Sequence, residues 1–145
     1  MTQAVVIDAA DDTIAVASSK MREQQTGSLL VMEGKNLLGI FTERDLLKAV
    51  AAGQDPTATL LKDVMSTEVI TISPGATLKQ AATLMASKWI RHLPVVKEGE
   101  VQGIISQRDL AGVLAQMLNE PDRLTGEAEL PREKRLHRIE AGDLD

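Results

Sequence analysis

Residues 39–45 read Gly-Ile-Phe-Thr-Glu-Arg-Asp, and residues 103–109 read Gly-Ile-Ile-Ser-Gln-Arg-Asp. A phrase stated twice at a spacing of 64 residues confines the chain to folds built from two like units. The correspondence runs well past the phrase. Residues 5–53 slide onto residues 69–117 without a gap, and 12 of the 49 pairs are identical. They include Thr13/Thr77, Ala17/Ala81, Met21/Met85, Leu29/Leu93, Val31/Val95, Gly39/Gly103, Arg44/Arg108 and Asp45/Asp109. A fixed offset of this length marks a duplicated supersecondary unit.

Each half carries the same succession of signals. In the second, residues 69–72 read as a short strand stopped by the turn sequence Ser73-Pro74-Gly75. Thr77 with Gln80 three places on has capping-box spacing, and Leu78, Ala81, Ala82 and Met85 fall on one helical face. Residues 93–96 and 101–105 read as strands across the polar turn 97–100, and a helix from Gln107 is expected to bury Leu110, Val113, Leu114 and Met117. In the first half Ile14, Ala17 and Met21 form the matching helix face. Residues 28–32 and 37–41 supply the strands, and Leu46, Leu47 and Val50 the last helix. The order is strand, helix, strand, strand, helix, an α/β (α+β) chain with small mixed sheets packed on helices. Each half must bury an apolar face, and its nearest partner is the other half, across a pseudo-two-fold axis. The boundaries expected are 1–53 for the first repeat, 54–67 for a linker with a short helix at 60–65, and 68–118 for the second repeat. A charged tail, 119–145, follows. There Pro131 suits the first turn of a short docking helix and Gly142 its end.

Composition narrows the function. A net charge of −5 argues against a nucleic-acid partner, which asks for a basic face. With no cysteine there are no disulfides, thiolate metal sites or cysteine nucleophile. No stretch approaches the roughly 18 apolar residues of a membrane span, and the N-terminus lacks a leader pattern, so a cytoplasmic protein is expected. The nucleophile elbow, the zinc-protease motif and the phosphate loop are all absent, and no enzymatic activity is expected.

The two Gly-x-x-[Thr/Ser]-x-x-Asp phrases, Arg91-His92-Leu93-Pro94-Val95 before the third strand of the second half, and Asp63-Val64-Met65 in the linker resemble a tandem pair of cystathionine-β-synthase (CBS) repeats, a Bateman module. The resemblance covers residues 5–117. It implies two β-α-β-β-α repeats and a non-catalytic regulatory module. It further implies an adenosine-containing ligand, AMP, ADP or ATP, in the cleft between the repeats, with no catalytic cofactor and no metal. Its implied partners are a second copy of the chain in a homodimer and a regulated protein. The hydroxyls of Thr42 and Ser106 and the carboxylates of Asp45 and Asp109 would hold the ligand, with the carboxylates on the ribose diol. Gly39 and Gly103 would allow close approach, and Arg44, Arg108, Arg91 and His92 would meet phosphate.

The physical chemistry of the phrase is compatible with two uses. A hydroxyl where a strand gives way to a helix sits beside open N–H groups and the positive dipole end, an anion site. The same hydroxyl with an acid three places on is also a helix cap with no ligand at all, and a cap can exchange its partner for a ligand. A scaffold or dimerisation module that binds nothing is therefore the alternative reading. Two departures from the family pattern stand out. The helix that commonly precedes the first strand is short or missing, and Gly27-Ser28 replaces the basic pair Arg91-His92 in the first repeat. Of the two aromatics, Phe41 is expected in the core, and Trp89 at the cleft or the dimer face.

Overall fold

The computed structural model describes residues 5–118, and these divide into two compact units, the first ending at Val69 and the second starting at Ile70. The tail 119–145 and its expected docking helix lie outside the described residues.

The first unit runs β1 (Ile7–Asp8), α1 (Ile14–Glu23), β2 (Ser28–Glu33), β3 (Asn36–Thr42), α2 (Glu43–Ala51) and α3 (Leu61–Val64). β1 lies parallel to β2, and β2 pairs antiparallel with β3. Thr13 caps α1, its hydroxyl accepting from Val16 N–H at 3.3 Å. The core is the inner face of α1 (Ile14, Ala17, Met21) on Leu29, Val31 and Phe41, closed by Ala49 and Leu61. Phe41 is fully buried, as expected for a core ring.

The second unit runs α4 (Leu78–Lys88), β4 (His92–Lys97), β5 (Glu100–Ser106) and α5 (Gln107–Leu118). The predicted capping box opens α4: Gln80 N–H donates to the Thr77 hydroxyl at 3.1 Å, and Thr77 N–H to Gln80 Oε1 at 2.9 Å. Its core gathers Ile72, Ala76, Ala81, Met85, Leu93, Val95 and Ile105. The duplication extends to irregular features. Both hairpins carry a register shift at the same place, Val31/Met32 and Val95/Val96. Gln25 and Trp89, equivalent residues after the first helix of each unit, both adopt positive φ (47° and 56°) although neither is glycine.

Two expectations need correction. The strand at 69–72 shrinks to a single parallel bridge between Ile72 and Val95. In the first unit Leu30 N–H donates to Val6 carbonyl at 2.9 Å. The residue equivalent to Leu30 is Pro94, which has no N–H to give, so the ladder loses that rung. The outer helices bury less than their apolar stripes suggest. Leu47 is 69% exposed, Val50 54% and Leu114 47%, while Ala49 and Met117 turn inward. Each unit's helix-and-sheet layer accepts one flank of the stripe and leaves the other bare.

The segment between the repeats carries the expected short helix, α3, and packs on the first unit. Ile14 N–H and Leu61 N–H bond to Thr59 and Asp12 carbonyls at 2.9 Å, Lys62 pairs with Asp11 at 3.1 Å, and Leu61 enters the core with no exposed surface. Ser66 then exchanges both backbone bonds with Ile40 at 2.9 Å, adding a rung outside β3. The segment straps the first unit from α1 to the sheet edge.

Candidate functional site

Each unit places its repeated polar phrase where an outer strand turns into a helix. Alternation along β3 sends Gly39 and Phe41 toward the helix-packed core and Ile40 and Thr42 to the opposite face. Ser28 stands across the ladder from Thr42 on that same face, as His92 stands across from Ser106 in the second unit.

The acids are fixed by the helices they start. Thr42 N–H donates to Asp45 Oδ2 at 2.9 Å, the Thr42 hydroxyl reaches the same oxygen at 3.1 Å, and Asp45 N–H points back to Thr42 Oγ1 at 3.4 Å. In the second unit Ser106 N–H donates to Asp109 Oδ2 at 2.8 Å and Asp109 N–H to Ser106 Oγ at 3.1 Å. A further amide at each helix start is taken by the preceding loop: Glu43 N–H by Gly27 carbonyl at 3.0 Å, Gln107 N–H by Arg91 carbonyl at 2.8 Å. The open amides that the phrase suggests are thus largely spent within each unit. What remains at the surface of this end is side-chain chemistry. Asp45 uses only Oδ2 among the described residues, leaving Oδ1 for another donor. Asp109 is more enclosed, at 6% exposure.

The other candidates fall at different distances from this end. Arg44 and Arg108 are exposed on the first turns of α2 and α5, and Arg91 is exposed at the loop against α5. His92 is half-buried beside Ser106. Gly39 is held on the far face of its strand, where a Cβ would stand 2.7 Å from Ser66 carbonyl oxygen and 2.8 Å from Met65 Sδ. Its lack of a side chain serves the strap within the first unit. Gly103 is buried at the equivalent place opposite Val95. Trp89 stands 81% exposed at the end of α4. Among the described residues no group of three His, Asp or Glu side chains is placed to hold a metal ion, and no helix is long and apolar enough to cross a membrane.

Two features were not singled out from the sequence, the first of them at this end. The Ser28 hydroxyl is buried with no hydrogen-bond partner, and the Glu43 carboxylate lies over Gly27, its atoms 3.2–3.5 Å from where a Cβ would be. The second is a charge cluster in the first unit. Lys20 Nζ meets Asp8 Oδ1 at 3.1 Å, with the Asp8 side chain 1% exposed. Asp8 Oδ2 has no donor, and a hydrogen bond and like charge shared with Asp8 raise the pKa of Asp12. The offset held the signal: Asp8, Asp12 and Lys20 align with Ile72, Ala76 and Leu84.

The CBS-domain family model matches residues 1–52 and 61–116. A CBS domain-containing protein of Bacillus subtilis, YhcV, is 38% identical over 121 residues, covering 83% of this chain and 84% of that protein. Among solved structures, a CBS-domain protein from Agrobacterium tumefaciens is 32% identical at a TM-score of 0.74, covering 77% of this chain and 90% of the other. A CBS domain protein from Pyrobaculum aerophilum complexed with AMP is 25% identical at a TM-score of 0.73, covering 82% and 95%. The chain belongs to the CBS-domain family, whose model matches it twice.

Proposed function

We propose, from its membership of the CBS-domain family, that this chain is a non-catalytic regulatory module that takes an adenosine-containing ligand between its repeats and passes occupancy to a partner. One observation carries the reading. Both repeats hold an acid rigidly beside a hydroxyl on the sheet face away from their own core, and in the first that acid keeps an oxygen unused. A carboxylate anchored by its own helix can accept two hydrogen bonds from a ribose diol at little entropic cost. The AMP complex of the Pyrobaculum relative makes AMP, ADP and ATP the first ligands to consider. The bare apolar flanks of the helices fit a second copy of the chain as one partner: Val16, Leu47 and Val50 in the first unit, Leu114 and Leu118 in the second. A groove of about 480 Å³ between α4 and α5, lined by Leu78, Met85, Leu110 and Leu114, adjoins the bare flank of the second unit. Occupancy biases a partner only as far as the ligand's affinity differs between the two states.

The test is a thermal-shift and Trp89-fluorescence titration with AMP, ADP, ATP, NADH and S-adenosylmethionine on wild type, Asp45→Asn and Asp109→Asn. A saturable shift for one ligand, lost in one variant, is the expected outcome. The caps favour one other reading, since both helix starts are closed without any ligand. No shift with any ligand, in a folded dimer, would establish that reading: a ligand-independent scaffold.

A further inference from the structure

The two helix starts share a backbone but differ in charge. The first repeat presents two acids, Glu43 and Asp45, against one base, Arg44. The second presents one acid, Asp109, against two bases, Arg91 and Arg108, with Gln107 where the first has Glu43. The Gly27 site is also occupied differently. With no side chain at 27, the Glu43 carboxylate lies over the loop, in the space that a residue like Arg91 would contest. No ion pair neutralises Glu43 among the described residues.

A phosphate entering here would meet three disadvantages. The amides of residues 42, 43 and 45 already have acceptors. The only cation on the first turn, Arg44, is offset by Glu43. Two further negative charges would be brought beside a carboxylate, a repulsion that partial exposure weakens but does not remove. An uncharged polyol meets none of these. The Ser28 hydroxyl, 2% exposed and unpartnered, faces the same side as Thr42 and both donates and accepts. Asp45 Oδ1 and the Glu43 carboxylate accept from hydroxyl or amino groups.

We propose that the α2 end of the first repeat takes the uncharged, hydroxyl-bearing part of a nucleoside and rejects phosphate, with Glu43 setting that preference. The proposal rests on the adenosine-binding reading above and goes beyond it by assigning the two repeats different ligand chemistry. The first repeat by itself then prefers the nucleoside, and the second, with two bases and one acid at its helix start, carries no such penalty against an anion.

The experiment is isothermal titration with adenosine and with AMP, in an Arg91→Ala background that removes the second repeat's loop cation. Glu43 and Arg91 are both exposed, so the variants should fold, and circular dichroism melts check this. Adenosine is expected to bind on the order of tenfold more tightly than AMP in that background, the scale of one partly screened like-charge contact. Adding Glu43→Gln should bring the two affinities together, and Glu43→Lys should invert their order. AMP binding as tightly as adenosine in the background, or a ratio unmoved by both Glu43 variants, overturns the assignment while leaving nucleotide binding intact. Binding of neither compound to the wild type overturns the assignment and the adenosine reading together.

Discussion

The two repeats solve one packing problem with different chemistry. Where the second has Ile72 and Ala76 ahead of its first helix and Leu84 on it, the first has Asp8, Asp12 and Lys20. In the second unit Ile72 and Ala76 join the apolar core. In the first, a carboxylate almost fully removed from water is held by one lysine that is itself 42% exposed at its side chain. A duplicated backbone therefore does not fix the interactions inside it. A buried ion pair gives little net stability over a well-packed apolar replacement, although breaking one side of it is costly.

That contrast is open to a direct test, and it carries the largest expected effect. Lys20→Met leaves Asp8 buried beside Asp12 with no cation. The expected loss is about 2–3 kcal/mol, below the roughly 3–5 of a fully buried pair because Lys20 is partly hydrated. Converting the cluster to its counterpart, Asp8→Ile with Asp12→Ala and Lys20→Leu, should return urea stability to within about 1 kcal/mol of wild type or above it. A triple variant as weak as Lys20→Met would mean that the first unit cannot accept the second unit's solution.

A smaller effect is expected at the strap. Gly39→Ala pushes a methyl group against Ser66 carbonyl oxygen, a backbone atom that cannot swing away. The cost should be about 1–3 kcal/mol, with loss of amide-exchange protection at Ile40 and Ser66. Unchanged protection at both amides would show that the strap yields without leaving the sheet edge.

The smallest effect is on pH dependence. The hydrogen bond and like charge from Asp8 place the folded-state pKa of Asp12 above its unfolded value. The folded first unit then holds that proton more tightly than the unfolded chain. Its contribution is complete below the unfolded value and is lost as pH rises through the folded one. Asp55 runs the other way. Hydrogen bonds from the Thr57 hydroxyl at 2.7 Å and N–H at 2.9 Å lower its pKa, so its contribution is lost as pH falls through the folded value. Melting temperatures across mildly acidic pH should show a shallower decline with rising pH in Asp12→Asn, and a shallower decline with falling pH in Asp55→Asn. Parallel curves for Asp12→Asn and wild type would remove the carboxyl pair as a source of difference between the repeats.

Much of this was legible from residue order because it depends on near neighbours in the chain. A cap is made within four residues, so Thr77 with Gln80 and Thr42 with Asp45 could be read in advance. The hairpins followed from alternation and turn residues, and the inward faces of α1 and α4 from helical period. What alternation also holds, but only with the core side known, is that Gly39 and Thr42 look in opposite directions. The loss of the strand at 69–72 needed the pairing partner, since the N–H that Pro94 lacks matters only where the neighbouring strand would have accepted it.

The sequence by itself determined that the chain is a duplication, which elements each half contains, and that a hydroxyl and an acid stand at both helix starts. These depend on periodicity and on contacts a few residues long. Tertiary structure decided that residues 56–66 strap the first unit, that Asp8 and Lys20 meet 12 residues apart, and that Glu43 lies over Gly27. Those outcomes turn on which groups are deprived of water together, and burial is a property of packed surfaces that residue order specifies only after the chain has folded.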